Sequence, residues 1–206
     1  MNQLRSWRNS PWVRENSVTQ HIIGEEEHRV WFGRQLISPR HVARVIVADG
    51  VDVGLVTLTR SLQVGGRDEQ DTDALPANYD TGSWGIYLGQ PTVAGRGIGL
   101  AAATLSLDEA FAHSLVQVTC EVFAQNARAR ALYGRLGFRG EPPREDDLMP
   151  APVEAGALLV LHLSADRWRL ERPAVVATCR ERSIQLISGS RWSANHGSNV
   201  GSVARP

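Results

Sequence analysis

The stretch Val93-Ala94-Gly95-Arg96-Gly97-Ile98-Gly99-Leu100 decides the fold because it joins a strand-like run, Trp84 to Leu88, to a helix-like run, Leu100 to His113. Its three glycines let the backbone turn tightly and approach a ligand without intervening side chains. A helix that begins in this way presents unpaired N–H groups at the positive end of its dipole. The stretch therefore predicts a binding site for a diphosphate group.

A second block of sequence follows the glycine loop. It consists of Asn126, Ala129, Leu132, Tyr133, Gly137 and Phe138, an Asn-x-x-Ala-x-x-Leu-Tyr-x-x-x-Gly-Phe pattern. Loop and block together resemble the GNAT superfamily of acetyl-CoA-dependent N-acetyltransferases, and the resemblance spans Trp7 to Leu163. It implies an α/β fold of the α+β kind, with a mixed central sheet of about six strands between flanking helices.

The resemblance implies acetyl-CoA as the co-substrate. The backbone amides that would hold its diphosphate belong to Gly95, Arg96, Gly97, Ile98 and Gly99. The N–H of Leu88, at the end of the preceding strand, would face the thioester carbonyl, and Asn126 would cap its helix and touch the coenzyme. The family usually carries Gln or Arg where this chain has Ala94, so Arg96 is the candidate for that polar contact.

Two residues are candidates for proton transfer. Tyr133 lies on an apolar helical stripe, which by itself favours core packing. The resemblance implies instead that its hydroxyl protonates the departing thiolate, and a pKa near 10 suits that role. Glu121 is the candidate base. Two alternatives stay open: Glu121 could be a solvated residue at the strand edge, and a chain of water molecules could deprotonate the amine. No Cys or Ser stands in nucleophile-like spacing with a base, which favours direct attack by the amine.

The acceptor is predicted from the first third of the chain. Trp7-Arg8-Asn9-Ser10-Pro11, then His21 and Glu26-Glu27-His28, resembles the opening of the pseudaminic-acid-pathway N-acetyltransferases. Those enzymes acetylate the 4-amino group of a UDP-linked 4-amino-4,6-dideoxy sugar. The candidate substrate residues are Arg8, Asn9, His21 and His28, with Trp12 or Trp31 as an aromatic face for a base or sugar. Arg8 could pair with a phosphate, although Arg8-Asn9 could equally pin the first helix to the sheet.

Two alternatives stay open. The first is a protein Nα-acetyltransferase of the ribosomal-protein type, which keeps the chemistry and changes the acceptor. The second is an inactive acyl-CoA-binding module, suggested by Ala94 and by the lack of the family's first strand before the first helix.

Composition limits the remaining classes of function. The 22 basic and 22 acidic residues cancel, so we expect no nucleic-acid and no membrane partner. Cys120 and Cys179 lack metal-ligand spacing, which predicts reduced thiols, no metal and a cytoplasmic protein. We expect a small-molecule amine acceptor and allow for a homodimer.

The remaining pattern predicts how the chain is divided. Residues 1–166 should form the GNAT domain, and the basic stretch 167–206 should be a poorly ordered tail. Asp49-Gly50 between two β-branched runs predicts a hairpin. A helix from Glu25 should turn its aromatic residues toward the core, and loops are expected at 65–80 and 141–152.

Overall fold

The computed structural model describes residues 2–61, 81–140, 156–182 and 200–203. The predicted loops at 65–80 and 141–152 lie outside these residues. The helices are α1 (Asn2–Asn9), α2 (Pro11–Arg14), α3 (Glu25–Ile37), α4 (Ile98–Ala112), α5 (Ala127–Leu136) and α6 (Ala165–Glu181). The strands are β1 (His41–Ala48), β2 (Val51–Ser61), β3 (Thr81–Leu88), β4 (Gln117–Phe123), β5 (Arg139–Gly140), β6 (Leu158–Ser164) and β7 (Val200–Val203).

The strands form one mixed sheet in the order β5-β6-β4-β3-β2-β1-β7. β3 lies parallel to β4 and β7 lies parallel to β1, whereas the other neighbours are antiparallel. The predicted fold class, a mixed sheet with flanking helices, is confirmed. No strand precedes α1 within the described residues, and β7 occupies the sheet edge beyond β1.

The predicted hairpin joins β1 to β2. Asp49 and Gly50 both have positive φ, 52° and 77°, as a two-residue turn between twisted antiparallel strands requires. The turn brings Asp49 toward the glycine loop, where its carboxylate lies 3.4 Å from the guanidinium of Arg96.

The main core lies between the sheet and α4. Ala101, Ala103 and Ala110 are fully buried, and such small side chains let the helix approach the strands closely. On the strands, side chains alternate between this core and the opposite face of the sheet. In β4, Val118 and Cys120 are buried whereas the alternating Glu121 is exposed. The opposite face therefore presents polar side chains, and the candidate site lies there and at the strand ends.

The aromatic residues of α3 do not face the core, contrary to prediction. Trp31 is 39% exposed, and His28 is the buried residue of this helix. Phe32 stacks on the His28 ring, with centroids 6.2 Å apart. Trp31 and His28 line a cavity instead. Cavities and cores are lined by the same aromatic residue types, so the aromatic pattern of the helix did not distinguish between them.

Residues 167–182 are ordered, which corrects the expectation of a poorly ordered tail over this part. Ser164 caps α6 by accepting a hydrogen bond from the N–H of Arg167 at 3.2 Å. Trp168, Val175 and Cys179 are buried and form a narrow apolar stripe. The many arginines on the other faces of the helix concealed that stripe in the sequence. No described helix has the length and apolar content needed to cross a bilayer.

Candidate active site

A cavity of about 1180 Å³ opens where the two central strands separate. β3 is paired with β4 only from Thr81 to Ser83. Beyond that point β3 continues beside β2 as far as Leu88, and β4 continues beside β6 as far as Phe123. The facing edges of β3 and β4 thus carry backbone groups that no described strand pairs with, and the cavity lies between these edges.

The glycine loop borders the cavity and ends at the first turn of α4. Gly95 and Gly97 have φ values of 79° and 82°, a conformation that costs other residues about 1–2 kcal/mol. Gly97 is the N-cap of α4, and no side chain caps the helix there. The N–H groups of the first turn are therefore available at the positive end of the helix dipole. Gly95, Gly97 and Gly99 line the cavity, and this backbone fits a diphosphate.

Arg96 and Ile98 do not line the cavity with their side chains. Arg96 pairs with Asp49, and Ile98 is 4% exposed within the core. These two residues can therefore contribute their backbone amides only. Ala94 lines the cavity, whereas the Arg96 guanidinium, the candidate for the missing polar contact, lies outside it beside Asp49.

The free edge of β3 is defined by one backbone hydrogen bond. Gly89 N–H donates to the carbonyl of Val53 in β2 at 2.7 Å. Because backbone groups alternate in direction along an antiparallel strand, those of Leu88 and Ile86 point away from β2 and into the cavity. The Leu88 carbonyl indeed accepts a hydrogen bond there, from the indole Nε1 of Trp12 at 3.0 Å. Sequence reasoning named Leu88 and missed Ile86, although strand alternation gives both.

The opposite wall of the cavity is α5. The Asn126 side chain accepts a hydrogen bond from Ala129 N–H at 3.0 Å, so it caps the helix as predicted, and it lines the cavity. Gly137, at φ 93°, ends the helix in the left-handed conformation.

Tyr133 also lines the cavity, although it is only 5% exposed. Its ring packs edge-on against Trp84, with centroids 5.9 Å apart, and at a tilt against Phe138, with centroids 5.6 Å apart. Trp84 is itself held by a hydrogen bond from Nε1 to Ser106 Oγ at 3.0 Å. Burial, with a smaller contribution from Cys120, raises the pKa of Tyr133 above its ordinary value. The phenol is therefore protonated at neutral pH, in a rigid aromatic setting.

Glu121 is exposed and faces both the main cavity and a smaller one of about 220 Å³ on the polar face of the sheet. The two cavities share Asn16, Ser17, Thr57, Gly85 and Glu121. Four hydroxyl side chains, Ser17, Thr57, Thr59 and Ser83, line the smaller cavity, which we call the hydroxyl pocket. A Cβ on Gly85 would lie 3.2 Å from Thr57 Oγ1, so a side chain there would narrow the junction.

The structure separates the acceptor residues predicted near α1. Arg8 lines the cavity, and its Nη1 donates to Ser17 Oγ at 2.5 Å. Asn9 does not line the cavity, since its side chain bonds both backbone groups of Ile23 at 2.8 and 2.9 Å. His21 is also outside, in an exposed pair with Glu27 at 2.8 Å. Asn9 therefore fixes the segment before α3, and not the sheet to which the alternative interpretation would have pinned the first helix.

His28 is the one predicted histidine that lines the cavity. It is 3% exposed, and its Nε2 has no hydrogen-bond partner among the described residues. Burial, and secondarily the charge of Arg5, lower the pKa of His28, so the imidazole is neutral at pH 7. A neutral ring with a free nitrogen can accept or donate one hydrogen bond to a ligand.

The sequence model of the acetyltransferase (GNAT) domain matches residues 2–139, which is more than half of the chain. The chain belongs to the GNAT acetyltransferase family. This GNAT protein is accordingly an N-acetyltransferase that uses acetyl-CoA. No protein of curated function matches its sequence.

Solved structures share the GNAT fold. Aminoglycoside acetyltransferase AAC(6')-Ib, crystallised with coenzyme A, is 14% identical at a TM-score of 0.58, over 83% of this chain and 92% of that one. An uncharacterized protein from Bacillus halodurans is 11% identical at a TM-score of 0.62, and the match covers 86% of this chain and 85% of that one. Mycobacterium smegmatis RimJ, in complex with CoA-disulfide, is 17% identical at a TM-score of 0.53, and the match covers 79% of this chain and 71% of that one. These identities are low enough that the likeness shows the fold alone.

Several residues that line the GNAT cavity escaped sequence reasoning. Besides Ile86 they are three arginines, Arg128 and Arg135 on α5 and Arg182 just after α6. An exposed arginine on a helix carries no local signal of ligand binding. Only the packing of α5 and α6 beside the glycine loop gives these side chains a role.

Proposed function

We propose that this GNAT enzyme acetylates the primary amine of a nucleotide-linked amino sugar, by direct attack of the amine on acetyl-CoA. The acceptor that fits the opening sequence is the 4-amino group of a UDP-linked amino-dideoxy sugar, in nonulosonic acid biosynthesis of the pseudaminic type. The observation that carries the proposal is the hydroxyl pocket, which joins the main cavity at Thr57, Gly85 and Glu121.

The hydroxyl pocket suits a sugar ring. Its Ser and Thr hydroxyls both donate and accept hydrogen bonds, as sugar hydroxyls do. Through the junction with the main cavity, an amine on that ring would lie beside the edge of β3, next to the thioester. Trp12 and Trp31 in the main cavity offer aromatic faces for the base or the sugar.

Charges in the cavity favour an anionic acceptor over a polycation. Arg8 and Arg128 line the main cavity, and the described carboxylates there are Glu27, already paired with His21, and Glu121. A polyamine or aminoglycoside carries several positive charges and would need more free carboxylates. A nucleotide diphosphate, in contrast, matches arginine in charge and geometry.

The coenzyme would lie between β3 and α5. Acetyl-CoA supplies the acetyl group as an activated thioester. The loop amides bind its diphosphate, and the free backbone groups of Ile86 and Leu88 pair with its amide-containing arm as an added strand would. The N–H of Leu88 or Ile86 then faces the thioester oxygen and stabilises the negative charge that develops there.

Tyr133 and Glu121 complete the proton transfers. The acceptor nitrogen forms a bond to the carbonyl carbon, the carbon–sulfur bond breaks, and Tyr133 gives its hydroxyl proton to the departing sulfur. The proton lost by the amine passes to Glu121 directly or through water. Tyr133 suits the first role because it lines the cavity and is protonated at neutral pH, and Glu121 suits the second because it faces both cavities.

The test is release of coenzyme A thiol with a panel of acceptors. A UDP-linked 4-amino sugar should be turned over at a kcat/KM well above those of an aminoglycoside, spermidine and peptides with free N-termini. Preference for the peptides would establish the protein Nα-acetyltransferase instead, and no turnover with any amine would favour the inactive binding module.

A variant pair tests the hydroxyl pocket directly. Thr57→Val keeps the shape and removes one hydroxyl, so it should raise the KM of the amino sugar roughly five- to tenfold, with the KM of acetyl-CoA unchanged. Thr119→Val is the matched control, since Thr119 lies on β4 but lines neither cavity. Equal effects of the two substitutions would refute the assignment of this pocket to the acceptor.

A further inference from the structure

The end of α6 lies beside the beginning of α4. Arg172, near the middle of α6, donates two hydrogen bonds of 2.6 and 2.8 Å to the Asp108 carboxylate. Further along, the Cys179 side chain lies beside the Thr104 hydroxyl. As α6 advances from 172 to 179, its partners on α4 move back from 108 to 104, so the two helices are antiparallel. This arrangement brings residue 182 close to the glycine loop that precedes α4.

Arg182 follows the last residue of α6 and lines the same cavity as Gly95, Gly97 and Gly99. It is exposed and has no carboxylate partner among the described residues. Residues 2–139 match the GNAT domain, so Arg182 lies outside the matched region.

Arg135, on α5, also lies near the loop. A Cβ atom built on Gly99 would lie 3.9 Å from Cδ2 of Leu132, which places that part of α5 against the loop. Arg135 follows Leu132 by three residues and therefore lies on the same face of α5. It lines the cavity, is exposed, and has no carboxylate partner in the described chain. Arg128, by contrast, lies at the far end of α5, over the Trp12 ring at 5.1 Å.

We propose that Arg135 and Arg182 together bind the phosphomonoester on the ribose of coenzyme A, so that α6 is part of the coenzyme site. The inference rests on the coenzyme site proposed above. Coenzyme A carries a diphosphate and, separately, a phosphate on its ribose. The loop amides account for the diphosphate, whereas a doubly charged phosphomonoester beside it needs cations. Two guanidinium groups without carboxylate partners, which line the same cavity as the loop glycines, meet that need.

The experiment compares coenzyme A with dephospho-coenzyme A by isothermal titration calorimetry, on the full chain. The wild type should bind coenzyme A roughly tenfold more tightly than the dephospho form. Arg135→Ala and Arg182→Ala should each weaken coenzyme A binding and leave the dephospho form unchanged, so that the double variant binds the two ligands equally. Arg180→Ala, on α6 but outside the cavity, is the matched control and should keep the wild-type preference.

Four results would overturn the inference. Equal weakening of both ligands would assign the arginines to the diphosphate, and unchanged binding of both would remove the arginines from the site. If the wild type bound neither ligand, the coenzyme site itself would be wrong. If the wild type bound both forms equally, only the phosphomonoester assignment would fail, and the proposed acetyl transfer would stand.

Discussion

The indole Nε1 of Trp12 donates a hydrogen bond of 3.0 Å to the carbonyl oxygen of Leu88, at the end of the free edge of β3. On its other side the indole ring lies under the guanidinium of Arg128, 5.1 Å from the ring centroid. Trp12 thus connects the two walls of the cavity, β3 and α5. In the proposed complex, an amide N–H of the coenzyme arm donates a hydrogen bond to the same Leu88 carbonyl. The coenzyme and Trp12 therefore compete for this acceptor, and coenzyme binding is coupled to the position of Trp12.

This coupling predicts the behaviour of Trp12→Phe. Removal of the indole donor frees the Leu88 carbonyl, so coenzyme A should bind equally well or up to about fivefold more tightly. The change in tryptophan fluorescence on coenzyme binding should be largely lost. Trp31→Phe is the control, because Trp31 lines the cavity and has no hydrogen bond to β3. A large loss of affinity in Trp12→Phe would contradict competition for that carbonyl.

Tyr133→Phe removes the proposed acid and preserves the aromatic packing with Trp84 and Phe138. Turnover should fall by about 10²-fold or more, because general acid catalysis contributes that much. The dissociation constant of acetyl-CoA should change little. Tyr87→Phe serves as the control, since Tyr87 is a second tyrosine that lines the cavity. If both variants kept wild-type turnover, Tyr133 would have no part in the reaction.

The features that could be predicted from the sequence are those with local causes. Positive φ at Gly97, the Asn126 cap and the left-handed stop at Gly137 each depend on one residue type at one backbone conformation. Such requirements leave a short motif, and the glycine loop and α5 were accordingly placed correctly. The Asp49-Gly50 turn follows the same logic.

Features that depend on distant packing left no such motif. Arg182 acquires its place in the cavity only because α6 packs antiparallel to α4, and Arg135 because Leu132 lies against Gly99. Asn9 was interpreted as a substrate residue, yet its amide holds the backbone of Ile23, a contact fourteen residues away. The polarity of a side chain in a sequence does not show whether its partner is a ligand or the backbone.

Gly97→Ala tests the backbone of the loop. Alanine in the left-handed conformation costs about 1–2 kcal/mol, so relaxation of the strain should displace the amides of the first turn of α4. We expect coenzyme A affinity to fall roughly five- to thirtyfold. Gly33→Ala is the control, because Gly33 lies within α3 with no atom within 4 Å of an added Cβ. That control should bind normally and be slightly more stable. Normal binding by Gly97→Ala would show that the loop conformation does not matter for the coenzyme.

The contact between Arg44 of β1 and Glu109 of α4 predicts how stability depends on pH. The carboxylate lies 3.3 Å from the guanidinium, and the two side chains are 16% and 21% exposed. Burial raises the pKa of Glu109 from its ordinary value of 4.5 to about 8, although the charge of Arg44 opposes the shift. Between these two values the native state holds a proton that the unfolded state has lost, so the free energy of unfolding should decrease as pH rises from about 4.5 to 8. Thermal melts from pH 5 to pH 8.5 test this dependence. Glu109→Gln should show a flatter decrease because glutamine cannot ionise. Glu26→Gln is the control and should keep the wild-type dependence, because the Glu26 carboxylate is exposed. Parallel curves for wild type and Glu109→Gln would show that Glu109 ionises normally in the folded protein.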